Sequence, residues 1–344
     1  MSMESVAPSS NDQRPTTNDG LSDGYRALVS TSGSYTATGL GQFELAGADA
    51  HAFVNRIATA DLSLLPPGRF VHSLLLRDDA SILDRVTIYR FPERVLLLVD
   101  QSQRELGWEH IVSRKHGNVR MRDISTDMGL IAVRGPGTIA RLGALMSPVP
   151  AEPGTVVNAR FAGIDVFAAR ATLDSADGID FYCRARDLAS LETALMRAGI
   201  VPVTESDWRL HRLEWGIATI GVEIDPGDTP VEAALEHLVA EGKGAPFPGE
   251  TALAVRRRTG AIKRLVGFHL TGDAAPPVAS RVTVAGVMVD RVRSIGVSPR
   301  VGVIGMTAVP ITADAPATTL TLASGEQTWQ ARIVRRPFVT RAAT

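Results

Sequence analysis

Cysteine, lysine and long apolar runs are all scarce in this chain. Cys183 is its one cysteine among 344 residues, which excludes an intrachain disulfide framework and a cysteine-rich zinc or iron–sulfur site. It lies in the strand-like run 179-IDFYCRA-185 and reads as a packed small residue rather than a nucleophile. No run of 18 apolar residues occurs, so no membrane-spanning helix is expected. The N-terminus lacks a basic-then-apolar signal architecture, and the expected address is cytoplasmic. Lysine is confined to Lys115, Lys243 and Lys263, with arginine supplying the rest of the basic set. The formal net charge of -1 gives no global electrostatic case for nucleic acid or an anionic membrane. Walker loops, zinc-type histidine pairs and nucleophile elbows are missing too, so the reading expects no metal and a small-molecule partner. The oligomeric state is not legible.

What is present is ordinary for a globular protein: 44% hydrophobic and 21% charged residues. The length suits two or three domains of about 100–150 residues each. Residues 1–24 hold almost no bulky apolar side chains and read as a disordered tail, with structure beginning near Tyr25. Strands are expected at 41–47, 70–76, 82–91 and 94–99, the last three as a meander, with a helix over 48–60. A helix over 106–116, strands at 120–123 and 130–136, and a short helix over 138–146 complete an α+β sandwich with helices on one face. The segment 147-SPVPAEPG-154 marks a boundary. Beyond it come strands at 160–170, 179–185 and 200–203, and helices over 187–198 and 205–216. From Lys263 the pattern is nearly helix-free, with strands at 263–270, 281–292, 301–310 and 328–338 suiting a small β-barrel.

One stretch stands out. In 78-DDASILDRVTIYRF-91, an acidic turn leads into a strand whose alternation puts Arg85, Thr87 and Tyr89 on one face and Val86, Ile88 and Arg90 on the other. Arg85 beside Asp84 is either a solvated edge pair or the rim of a site.

Several blocks, in order, resemble the aminomethyltransferase family, which includes the glycine cleavage T-protein and folate-binding relatives implicated in iron–sulfur cluster maintenance. They are GQFELAGADAHAFVNRIATADLSLLPPGRFVHSLLL, DDASILDRVTIYR, LIAVRGPGTIARL, DSADGIDFY, WRLHRLEWGIATIGVEIDPGDTPVEAAL, PGETALAVRRRTGAIKRLVGFHL and VDRVRSIGVSPRVGVIGMTAV. Together they span about Gly39 to Phe338. The resemblance implies an α+β, three-domain ring of the T-protein type, with a ferredoxin-like or α+β sandwich unit and a C-terminal small β-barrel. Residues 25–47 and 152–260 would form the first domain, 48–151 the second and 261–344 the barrel.

The same resemblance implies a reduced folate, tetrahydrofolate, in a central channel, and a one-carbon (methyl or aminomethyl) transfer. A carboxylate would act near the reacting nitrogen, with a second carboxylate, an arginine and stacked aromatics holding the pterin. This chain departs from that pattern at several points. The second acid of the usual Asp-Asp pair is Arg85, a guanidinium that accepts no proton at neutral pH; Asp84 precedes it and points to the other face. Asp100 stands for a common asparagine, Leu173 for a tyrosine and Trp208 for the pterin-side arginine. Asp180 keeps the pterin-binding carboxylate, one methylene shorter. Arg85, Asp84 and His72 are therefore the catalytic candidates, and Asp180, Trp208, Asp100, Tyr89 and Leu173 the cofactor-binding ones. Three of them have a plain alternative: a solvated strand end for Arg85, a packed ring for Trp208, a satisfied strand histidine for His72. Arg212 and Glu214 read as structural ion-pairing residues. The segment 243-KGAPFPGET-251 keeps Lys243 of an iron–sulfur-relative signature without its cysteine. Besides a diverged transferase, the sequence leaves open a non-catalytic folate-binding or assembly module and an enzyme using the channel without folate.

Overall fold

A computed structural model describes residues 21–171, 173 and 177–340. Residues 1–20 of the expected tail lie outside this range, but 21–24 belong to the fold. Ser22 caps helix Asp23–Ser30, its hydroxyl accepting the Tyr25 N–H at 3.0 Å.

The described chain is α+β and is organised around three sheets. The smallest has five strands in the spatial order Arg69–Leu76, Ile82–Arg90, Arg94–Val99, Gly41–Ala46 and Arg120–Asp123. The expected meander is its first half. A seven-stranded sheet runs Val201–Pro202, Gly33–Ala37, Met128–Arg134, Gly178–Arg184, Ile164–Arg170, Val156–Phe161 and Met146–Ser147. Sheet membership thus departs from the expected division at residues 47/48 and 151/152. Strand Gly41–Ala46 pairs with Arg94–Val99, whereas Met128–Arg134 pairs with Gly33–Ala37 and Gly178–Arg184.

The second seven-stranded sheet is C-terminal and wholly antiparallel. It curls until the Asp290 carboxylate accepts the Ala308 N–H at 2.7 Å from a strand that is not its ladder neighbour. Two single strands expected from sequence, 160–170 and 281–292, are each a hairpin. Their turns are Ala162-Gly163 and Ala285-Gly286, all four residues at positive φ. That is the twist-matched geometry of a two-residue loop, and alanine in place of asparagine hid it. Helices Asp23–Ser30 and Glu250–Thr259 and strands Gly33–Ala37, Ser294–Ser298 and Thr319–Ser324 were also not legible.

Period-2 alternation builds the layers. On the five-stranded sheet, Val86, Ile88, Val95 and Leu97 face Phe53, Val54 and Ile57 of helix Ala50–Ile57. On the first seven-stranded sheet, Ile131, Val133, Ile179 and Phe181 face Leu191 and Leu195 of helix Leu188–Arg197. The remaining faces meet each other: Phe70, Tyr89, Phe91 and Leu96 pack on Leu130, Phe167, Ala169 and Tyr182. Helices lie outside and two sheets lie back to back.

Glu214, at the end of helix Glu205–Glu214, ties these layers to the curled sheet. Its fully buried carboxylate accepts the Tyr25 hydroxyl and the Ser298 hydroxyl, both at 2.5 Å, and pairs with Arg300 at 3.5 Å. Burial and the adjacent carboxylate push the Tyr25 phenol well above its ordinary value. Replacing Glu214 by alanine strands two buried hydroxyls. We expect a loss of at least about 2 kcal/mol, the scale of buried hydrogen bonds to a charge, measured by urea denaturation. Glu214→Gln should lose less, since one acceptor survives.

Candidate functional site

The back-to-back packing ends before the sheets do. Past Tyr89 and Tyr182, whose hydroxyls meet at 2.5 Å, the two faces part around a cavity of about 1000 Å³. The five-stranded sheet contributes His72, Arg85, Thr87 and Leu98, and the seven-stranded sheet Tyr35, Ala132, Arg134 and Asp180. Helix Glu205–Glu214, the turn that follows it and the curled sheet close the third side with Trp208 and Arg212, Glu223, and Ile295 and Val297 respectively.

Register sets these positions. Thr87 pairs with His72 across the ladder, and the Thr87 hydroxyl lies 3.0 Å from His72 Nδ1. Tyr35, Ala132 and Asp180 occupy one row across adjacent strands. The Arg134 guanidinium reaches Asp180 at 2.8 Å; both side chains are largely buried. Gly178 makes that path possible, because a Cβ there would lie 2.7 Å from Arg134 Cδ. Trp208 sits in the first turn of its helix, whose start Thr204 caps by accepting the Asp207 N–H at 3.2 Å. Asp207 in turn accepts the Ser22 hydroxyl at 2.6 Å, which fixes the turn to the chain's first described residues. The Trp208 ring stacks on Tyr35 at 4.8 Å with planes 8° apart, and the Arg134 guanidinium lies 5.7 Å from its centroid. The Tyr35 hydroxyl donates to Glu205, and burial together with that carboxylate raises its pKa to about 12.

The cavity brings together Arg85, His72, Asp100, Leu173, Asp180 and Trp208. Two candidates fall elsewhere. Tyr89 shares the Arg85 face but lies two steps deeper, 1% exposed in the aromatic packing, and does not line the cavity. Asp84 is also 1% exposed and points away, accepting the backbone N–H of Arg85 at 2.8 Å and of Asp100 at 2.7 Å. It is a brace for two wall segments rather than a group that meets a ligand. Asp100 spends one oxygen on the Ser102 N–H and hydroxyl, at 2.9 and 2.8 Å. Lys243 is committed as well. It donates to the Asn55 and Ala58 carbonyls at the C-terminus of helix Ala50–Ile57, where a cation complements the helix dipole.

Tyr35, Arg134, Arg212 and Glu223 are the wall residues that the sequence reading passed over or misplaced. Tyr35 carried no signal, since its strand was not legible. Arg134 did: a charge ending the apolar run 130-LIAV-133 must find a buried partner. Arg212 and Glu214 were both expected to make structural ion pairs across domains; Glu214 does so with Arg300, whereas Arg212 lines the cavity and forms no ion pair among the described residues. Among those residues, no group of three or more His, Cys, Asp or Glu is arranged to hold a metal.

Burial pushes the Asp84 carboxyl up to about 7, with the Asp100 charge adding to the rise and the two N–H donors opposing it. A folded-state value above the ordinary 3.8 means the protonated form favours the fold. That contribution is complete below 3.8 and is lost as pH climbs through about 7. The stability advantage of wild type over Asp84→Ala should therefore be larger at pH 5 than at pH 8. Denaturation midpoints of both proteins at the two pH values measure it; an advantage that grows with pH would contradict the assignment.

Comparison with known proteins agrees with this architecture. Residues 6–243 match the family described as the GCVT N-terminal domain, and residues 263–340 the glycine cleavage T-protein C-terminal barrel domain. An aminomethyltransferase of Symbiobacterium thermophilum is 28% identical over 91% of this chain and 88% of its own length. One from Bacillus subtilis is 26% identical over 92% of this chain and 90% of its own. The crystal structure of the glycine cleavage system aminomethyltransferase T from Bartonella henselae superposes with a TM-score of 0.85. It covers 94% of this chain and 91% of its own at 21% identity, a likeness of fold. With two family matches that together span nearly the whole sequence, the chain belongs to the glycine cleavage T-protein family.

Proposed function

We propose that the cavity binds a reduced folate and that the protein moves a one-carbon unit to or from it. The observation that supports this most is the wall on which Asp180, Arg134 and Trp208 meet. A pterin presents an amide-like edge of donors and acceptors, and a carboxylate held beside a guanidinium offers the complementary set. The Trp208–Tyr35 stack supplies aromatic surface next to it, with Tyr35 already occupying one face of the indole. A volume of about 1000 Å³ is at the upper end for small-molecule sites and suits a ligand as long as a folate. Arg212, lacking an ion-pair partner among the described residues, would take a ligand carboxylate.

Bound tetrahydrofolate would supply the nitrogen that carries the one-carbon unit. The chain's part is to orient it and to handle protons. Arg85 cannot serve as a general base, so it binds an anionic group or orients the ligand. His72, held by Thr87 on the same wall, brings an imidazole that can donate or accept a hydrogen bond to a ligand. The guanidinium at position 85 also favours a second reading, a folate-binding module without transfer chemistry.

Titration with tetrahydrofolate and with its 5-formyl derivative tests the binding half; no binding at millimolar ligand would remove it. A panel of methylated amines, thioethers and aryl ethers with tetrahydrofolate separates the two readings, since any turnover defeats the inert module. Arg85→Ala should weaken ligand binding by about 1.5–3 kcal/mol, the worth of a charge-assisted hydrogen bond, with the melting temperature nearly unchanged. Unaltered affinity would make Arg85 a bystander.

A further inference from the structure

Strands Ile82–Arg90 and Arg94–Val99 pair from Arg90 and Val95 as far as Thr87 and Leu98. The ladder stops there, where Arg85 and Asp100 enter the cavity wall. The Asp84 carboxylate takes its place. Oδ1 accepts the Arg85 N–H at 2.8 Å and Oδ2 the Asp100 N–H at 2.7 Å, one oxygen for each wall segment. Asp84 is 1% exposed and forms no salt bridge among the described residues. Leu75, opposite it in the next strand, is apolar. The charges acting on Asp84 are Asp100, which opposes its ionisation, and the Arg85 side chain, which favours it less strongly. Titratable groups on the adjoining elements lie in other fields: His51 in that of Arg90 and Asp61, His110 in that of Arg114, Asp78 and Arg77. His237 lies beside Glu236 and Arg85, His72 is bonded to Thr87, and Asp228 is held by Lys263 and Arg293.

A carboxyl group serves two donors, one on each oxygen, at full strength only while it is ionised. Protonation turns one oxygen into a hydroxyl, a weaker acceptor, and one of the two N–H groups loses its partner. Burial away from cations disfavours the ion, so both forms are within reach near neutral pH. We propose that Asp84 is a positioning residue whose charge state sets the cavity wall: ionised, it seats Arg85 and Asp100 together, and protonated, it releases one of them. The grip of the wall on an anionic group therefore strengthens as pH rises, whereas the fold is favoured by the protonated form. Stability and grip change in opposite directions through one carboxyl group. The grip rests on the reading of Arg85 as a ligand contact; the seating of the two segments does not. The competing account makes the brace indifferent to charge, with the protonated acid holding both segments equally well.

Nuclear magnetic resonance of the isotope-labelled full chain separates the two accounts. From pH 5 to pH 9 the Arg85 and Asp100 amide protons should move downfield with one shared midpoint, near 7, as their acceptor gains charge. Asp84→Asn offers one fixed acceptor oxygen and no titration, and should abolish that movement. Calorimetric titration with 5-formyltetrahydrofolate should show wild-type affinity rising about three- to tenfold from pH 6 to pH 8, the scale of one hydrogen bond. The asparagine variant should lose that rise; a rise that survives in it belongs to another group, such as His72, and overturns the gate. If the variant fails to fold, the Asp84 carboxyl signal of wild type decides, because it must titrate with the midpoint of the two amides. Amide signals that stay fixed, a midpoint different from the carboxyl's, or an unchanged titration in Asp84→Asn would overturn the assignment. Absent binding at both pH values strikes the folate reading and leaves the amides to decide the brace.

Discussion

The aromatic contact between two sheets sets the terms for everything else in this molecule. Phe70, Tyr89, Phe167 and Tyr182 fill the space between the five-stranded sheet and its seven-stranded neighbour, and Phe167 stacks on Tyr182 at 4.1 Å. Sheets packed face to face stay about 10 Å apart only while side chains fill the gap. Where the aromatics stop, shorter and charged residues take over at the same alternating positions. The cavity is that interval, closed on its third side by a helix and the curled sheet. Its depth is therefore fixed by core packing, and its chemistry by the next two residues along each strand.

This explains why strand Ile82–Arg90 carries such different duties on one face. Tyr89 is core, Thr87 orients His72, and Arg85 enters the cavity, each two residues apart. The opposite face is no less divided: Val86 and Ile88 pack on a helix while Asp84 braces backbone. A single strand thus joins core, brace and cavity, and a one-residue slip would exchange all of them.

Much of this was readable beforehand because alternation and block order are local signals. Strands Arg94–Val99 and Arg120–Asp123 fall where the pattern put them. The opposition of Asp84 and Arg85 follows from strand geometry alone. What failed was whatever depended on tertiary contact. Tyr89 has the right face, yet how far the neighbouring sheet covers it is not written in the strand. Two hairpins passed as single strands because Ala-Gly does not carry the usual asparagine signal. Sheet membership of Gly41–Ala46 and Met128–Arg134 depends on pairings between residues distant in sequence, which periodicity does not encode. Arg212 was misjudged for the same reason: being one residue from the Leu213–Glu214 core says nothing about which side of the helix opens on a void.

The Glu214 junction has a consequence for energetics at a distance. It holds helix Asp23–Ser30, helix Glu205–Glu214 and strand Ser294–Ser298 in one hydrogen-bonded knot, and the second and third of these also form the cavity wall. A ligand that bridges Trp208 and Ile295 would bind only when the curled sheet is seated against the helix. Occupancy and seating are then linked functions: each raises the other's equilibrium constant by the same factor. The barrel in such an arrangement is more than a cover, because its attachment reports on what the cavity holds.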